Sequence, residues 1–101
     1  MIKEKLNLNS NLFLAPLAGV TDIPFRIICG ELGAGLCFTE MISAKALYYD
    51  DKKTKKLLDT DPRENNTSVQ IFGHEPEIIA YATRFLTENY NFKSIDINMG
   101  C

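Results

Sequence analysis

The chain has 101 residues, 46% of them apolar and 24% charged, with a net charge of −2. That is enough for one modest domain but short for a closed (β/α)8 barrel, which typically takes about 250 residues. The charge balance argues against a nucleic-acid surface on this stretch, because such surfaces usually carry a basic patch. Three cysteines, Cys29, Cys37 and Cys101, include no C-x-x-C pair. A zinc or thiol-exchange site is therefore not expected, nor is any other metal site, and a reducing, cytoplasmic compartment fits. Cys29 and Cys37 sit among apolar residues and read as small core hydrophobes. Lys3 and Lys5 ahead of Leu12–Val20 imitate a leader peptide, but Glu4, several asparagines and Pro16 interrupt the pattern. No apolar run approaches the ~18 residues of a membrane span.

In chain order, Leu12 to Ala15 reads as a first strand. Asp22 is a candidate N-cap, and Pro24 fits the first turn of a helix running to about Leu32, which Gly33 and Gly35 end. Leu36 to Met41 reads as a second strand. Ser43 can cap a helix beginning Ala44-Lys45-Ala46-Leu47, and the charged stretch Asp50 to Lys56 reads as a solvated helical face with Leu57 and Leu58 as its apolar foothold. Residues 59–67, with Pro62 and Asn65-Asn66, read as loop. Ser68 to Phe72 is a third strand. Ile78, Ile79, Ala82, Phe85 and Leu86 then form one apolar stripe on a helix opened by Pro76 and ended near Asn89–Asn91. Ser94 to Asn98 is a fourth strand. The order β-α-β-α-β-α-β predicts parallel strands joined by right-handed helical crossovers.

Side chains alternate faces along a strand. Val69 and Ile71 share one face of the third strand; Ser68, Gln70 and Phe72 share the other. In the fourth, Ile95 and Ile97 oppose Asp96 and Asn98. A parallel strand buried on both faces should be apolar on both. Gln70, Asp96 and Asn98 break that rule near the C-terminal ends of their strands, where (β/α) barrels carry their active sites. The structural alternative, bonding to neighbouring backbone, stays open, most evenly for Asp96. The loop Ala15-Pro16-Leu17-Ala18-Gly19-Val20-Thr21-Asp22 has the small residues and fixed φ that let backbone approach a flat ligand.

Ala15-Pro16-Leu17-Ala18-Gly19-Val20-Thr21-Asp22-Ile23-Pro24-Phe25-Arg26, Thr39-Glu40-Met41, Val69-Gln70-Ile71-Phe72-Gly73 and Asp96-Ile97-Asn98-Met99-Gly100-Cys101, in that order and spacing, closely resemble the tRNA-dihydrouridine synthases. Leu17 stands where that family usually has methionine. The resemblance implies an FMN-binding TIM barrel, with NADPH as reductant and tRNA as partner, that reduces the C5–C6 bond of particular uridines. By the same resemblance, Pro16, Leu17 and Ala18 line the flavin and Gln70 hydrogen-bonds its ring. Asn98 lies between flavin and uracil, and Cys101 is the general acid that protonates C5. A mostly protonated thiol, with a reference pKa near 8.5, suits that role.

The expected fold of residues 1–101 is thus the N-terminal half of a (β/α)8 barrel, ending after its fourth strand. The resemblance implies that later units supplying further flavin and substrate contacts, and a helical domain that grips tRNA, lie beyond it. The resemblance implies a monomeric full-length enzyme and a stretch that is inactive by itself. Two other readings remain at this level: a different FMN barrel, such as a dihydroorotate dehydrogenase, and a non-catalytic truncated chain that pairs its open edge with a partner.

Overall fold

A computed structural model describes residues 6–100. The first strand, β1, is Phe13–Leu14, and helix α1 spans Ile23–Glu31. Asp22 caps α1 as its spacing predicted: the side chain accepts from the Phe25 amide, and Pro24 lies in the first turn. Strand β2 is Leu36–Phe38 and β3 is Ile42–Ser43. The short helices α2, Ala44–Tyr48, and α3, Lys52–Lys56, follow, capped by Ser43 and Asp51. Then come β4, Thr67–Phe72, helix α4, Pro76–Asn89, and β5, Ile95–Ile97.

All strand pairs are parallel. β1 pairs with β2, β2 and β3 flank the same side of β4, and β5 takes its other side. The sheet therefore runs in chain order, with helices on one face. This is the partial (β/α) barrel expected from the sequence, and its sheet is not closed. The expected second strand, Leu36 to Met41, needs correction. Phe38 aligns with Ser68 and Ile42 with Ile71, so four steps on one strand match three on its neighbour. The extra residue breaks the ladder at Thr39–Met41, as in a β-bulge.

The alternating faces of β4 separate two environments. Val69 and Ile71 are fully buried against the helices, in a core with Ile42, Ala44, Leu47, Leu58, Ala82 and Leu86. The α4 stripe supplies its half of this core: Ala82 and Leu86 are buried, and Ile78, Ile79 and Phe85 pack against it. Tyr48 and Tyr81 meet edge to face at 5.1 Å where α2 and α4 approach. The other face of the sheet is covered only in part: Ser68 is buried, but Phe13 and Phe72 remain 43% and 37% exposed. No residue of α3 is buried, as its charge pattern implied, while Leu58 just beyond it is. Cys37 is buried, and its thiol donates to the Arg26 carbonyl at 3.6 Å. Burial first, then the nearby Cys29 and Glu64, push this thiol's pKa up against the opposing pull of Arg26. Cys29 is only half-buried and is not a full core residue.

The lead-in lies against the α1–β2 turn. Gly35 donates to the Leu12 carbonyl at 2.8 Å, and a Cβ on Gly35 would come 2.4 Å from the Ser10 carbonyl oxygen. That backbone oxygen cannot swing aside as a flexible side chain could. Gly35→Ala is expected to cost about 1–3 kcal/mol through forced backbone displacement. A urea midpoint equal to that of the parent chain would refute this.

Candidate functional site at the C-terminal ends of the strands

The loop after β1 carries Pro16, Leu17, Ala18 and Gly19. A turn closed by the Val20 and Thr21 amides on the Leu17 carbonyl, both at 3.0 Å, shapes it. The buried Thr21 hydroxyl returns to Leu17, accepting from its amide at 3.2 Å. Gly19 sits at φ +74°, a conformation that disfavours a side chain. Its amide donates to the Glu40 carboxylate at 2.6 Å. The irregularity between β2 and β3 thus serves the rim, because it carries the side chain that ties this strand to the β1 loop.

Gln70 and Asp96 are register partners on β4 and β5, so their side chains share a face. The Gln70 amide nitrogen donates to the Asp96 carboxylate. Asn98 follows β5, its backbone amide on the Ile71 carbonyl at 2.9 Å. Its side-chain nitrogen lies 3.2 Å from the Gln70 amide oxygen and 3.3 Å from the Met41 sulfur. Its side-chain oxygen accepts from the Gly100 amide at 2.8 Å. Side chains from β4, from the β2–β3 break and from the segment after β5 therefore meet at one rim of the sheet. No buried side-chain nitrogen or oxygen among the described residues lacks a partner.

Of the residues singled out from the sequence, Gln70 and Asn98 are in direct contact, and Pro16, Leu17 and Ala18 occupy the loop at the same strand ends. Leu17 and Ala18 are exposed and Pro16 is partly so. Cys101 lies outside the described residues. Sequence reasoning gave Glu40 no task. The available signal was the single charged residue in the expected strand Leu36 to Met41. A concavity of about 710 Å³ is at the opposite end, lined by Thr67, Lys93, Phe92 and residues of the 60–65 loop. It contains none of the rim residues. Barrel chemistry sits at the C-terminal rim, so the interlinked amides there define the candidate site.

Beneath the β1 loop is a buried ion pair. Arg26 donates to Glu64 from Nε at 2.6 Å and from a terminal nitrogen at 3.3 Å, with side-chain exposures of 2% and 3%. Arg26 also donates to the carbonyls of Thr21, at 2.8 Å, and Asp59, at 3.1 Å. Glu64 accepts in addition from the Asp61 amide and the Thr67 hydroxyl, both at 2.9 Å. This network joins the end of the candidate loop to the segment entering β4. Among the described residues, no group of three or more His, Cys, Asp or Glu could hold a metal ion, and no helix is long and apolar enough to cross a membrane.

Parallel strands joined by helical crossovers define part of a TIM-barrel protein, and the polar cluster at the strands' C-terminal rim is its candidate site. The family model of dihydrouridine synthase (Dus) matches residues 13–101, and the chain belongs to that family. It is 44% identical over 94 residues to tRNA-dihydrouridine synthase B of Vibrio parahaemolyticus, covering 93% of this chain and 29% of that protein. It is likewise 44% identical over 94 residues to the Pasteurella multocida protein of the same name, covering 93% and 28%. A probable tRNA-dihydrouridine synthase of Treponema pallidum is 38% identical over 96 residues, covering 95% and 28%. The chain thus spans less than a third of the length of these relatives. The family match favours this assignment over the dihydroorotate dehydrogenase reading.

Proposed function

We propose that residues 1–101 form the opening part of one FMN-binding barrel domain in a cytoplasmic, monomeric enzyme that reduces the C5–C6 bond of uridine in tRNA, with NADPH as reductant. The observation that carries this reading is the direct Gln70–Asn98 contact at the strand rim, beside the exposed loop of Pro16, Leu17 and Ala18. The donor set fits a flat ring with a heteroatom edge. Leu17 and Met99, 47% and 88% exposed, offer apolar surface, and the two amides offer donors and acceptors. Pro16, Leu17, Ala18 and Gln70 would hold the flavin. Bound there, FMN would supply the hydride for C6 of the uracil, and NADPH would replenish it.

The chain's own residues do the rest. Asn98 orients the uracil, which must leave its base stack to reach the rim. Cys101 donates its thiol proton to C5 as general acid.

By itself the chain is expected to bind FMN weakly or not at all and to form no dihydrouridine, because its sheet is open and its inner face only partly covered. Fusing it to the remaining length of the Vibrio parahaemolyticus relative should yield a flavin-bearing protein that makes dihydrouridine in tRNA. Cys101→Ala in that fusion should retain the flavin and lower turnover by roughly 10²–10⁴-fold. Full turnover in the alanine variant would remove Cys101 from the mechanism. A flavin-free fusion with correct fold would refute the cofactor assignment.

A further inference from the structure

We propose that Asp96 is a positioning residue whose carboxylate sets which way round the side-chain amides of Gln70 and Asn98 point, and through them holds the Gly100 amide. Its functional meaning rests on the reading of Gln70 and Asn98 as groups that face flavin and uracil. The hydrogen-bond relay itself does not. A carboxamide has a donor end and an acceptor end of nearly equal size, so a glutamine or asparagine can settle either way round unless a partner decides. An ionised carboxylate accepts only. Gln70 therefore turns its nitrogen towards Asp96. Its oxygen is left for Asn98, which must answer with nitrogen, at 3.2 Å. Met41 sulfur, a weak acceptor, favours the same orientation. The Asn98 oxygen then takes the Gly100 amide at 2.8 Å.

Each link points the same way, and only Asp96, at one end, is charged. The parallel register explains why the chain of bonds exists, since Gln70 and Asp96 are direct partners across β4 and β5. Asp96 is exposed, so its carboxylate adds little to the core. Its polarity nevertheless reaches the backbone of the residue preceding Cys101.

Gln70 is the single glutamine of the chain, so its side-chain NH₂ signals are identified by residue type alone. Amide hydrogen exchange in the ¹⁵N-labelled chain should show protected side-chain amides at Gln70 and Asn98 and a protected Gly100 N–H. Asp96→Asn preserves size but restores the choice of orientation. It should speed exchange at all three groups by at least about tenfold, as expected for loss of a charge-assisted bond, while the Val69 and Ile71 methyl signals stay in place. Gln70→Leu should release Asn98 and Gly100 in the same way. Unchanged exchange at Asn98 and Gly100 in Asp96→Asn would overturn the proposal, as would changes that appear only together with movement of the core methyl signals. The readout needs no flavin. If Gln70→Leu abolishes the relay but leaves FMN affinity of the fused barrel unaltered, the flavin assignment of Gln70 fails and the role of Asp96 stands.

Discussion

Replacing Glu64 by leucine is expected to cost about 3–5 kcal/mol, the usual consequence of removing one partner from a buried ion pair. Arg26 would be left charged at 2% exposure, with only the carbonyls of Thr21 and Asp59 to replace its carboxylate. The Asp61 amide and the Thr67 hydroxyl would lose their acceptor as well. In a domain whose total stability is of order 5–15 kcal/mol, that loss removes most of the folded population on heating. The double variant Arg26→Met with Glu64→Leu should recover much of it, because an apolar pair of similar volume often matches a buried ion pair. Urea unfolding of parent, single and double variants measures this. A single variant within 1 kcal/mol of the parent would mean that water reaches the pair. The position of the pair gives the prediction functional weight. Arg26 holds the Thr21 carbonyl, and Thr21 closes the turn on Leu17. Loosening the pair should therefore loosen the proposed flavin loop.

Ile71→Ala is the second large effect, at about 2–5 kcal/mol. Ile71 is fully buried at the centre of the helix-facing core, and the surrounding elements cannot collapse freely into the space it would leave. Its neighbour Phe72 points to the partly covered face and is 37% exposed. Phe72→Ala removes a larger side chain but should cost clearly less, because much of that ring is already in water. Comparing the two midpoints tests whether the helix-facing side carries the fold. Equal losses would mean that both faces are covered in solution.

The elements that could be read from the sequence are those with strong local signals. Asp22 and Ser43 each present an oxygen to the amide three residues on, and both cap the helices they were expected to cap. The α4 stripe has a period that only a helix can bury on one side, and its boundaries fell where Pro76 and the asparagines indicated. Alternation in β4 correctly separated Val69 and Ile71 from Gln70 and Phe72. The break at Thr39–Met41 could not be read, because a bulge arises from mismatch with a neighbouring strand and leaves no local mark beyond the lone acidic residue. Cys29 was placed too deep for a related reason. Its neighbours are apolar, but the surface of α1 that it occupies is only partly covered.

By itself the sequence determined the alternation of strands and helices apart from the split of the second strand, the parallel topology, the family and the residue types gathered at the strand ends, because period, capping and motif spacing are properties of short stretches. Tertiary structure alone decided the buried Arg26–Glu64 pair, the Glu40–Gly19 tie and the direction of the bonds from Asn98 through Gln70 to Asp96. Those contacts join residues 21 to 38 positions apart. Their geometry depends on strand register and on the packing of α1 against the sheet, which no local pattern encodes.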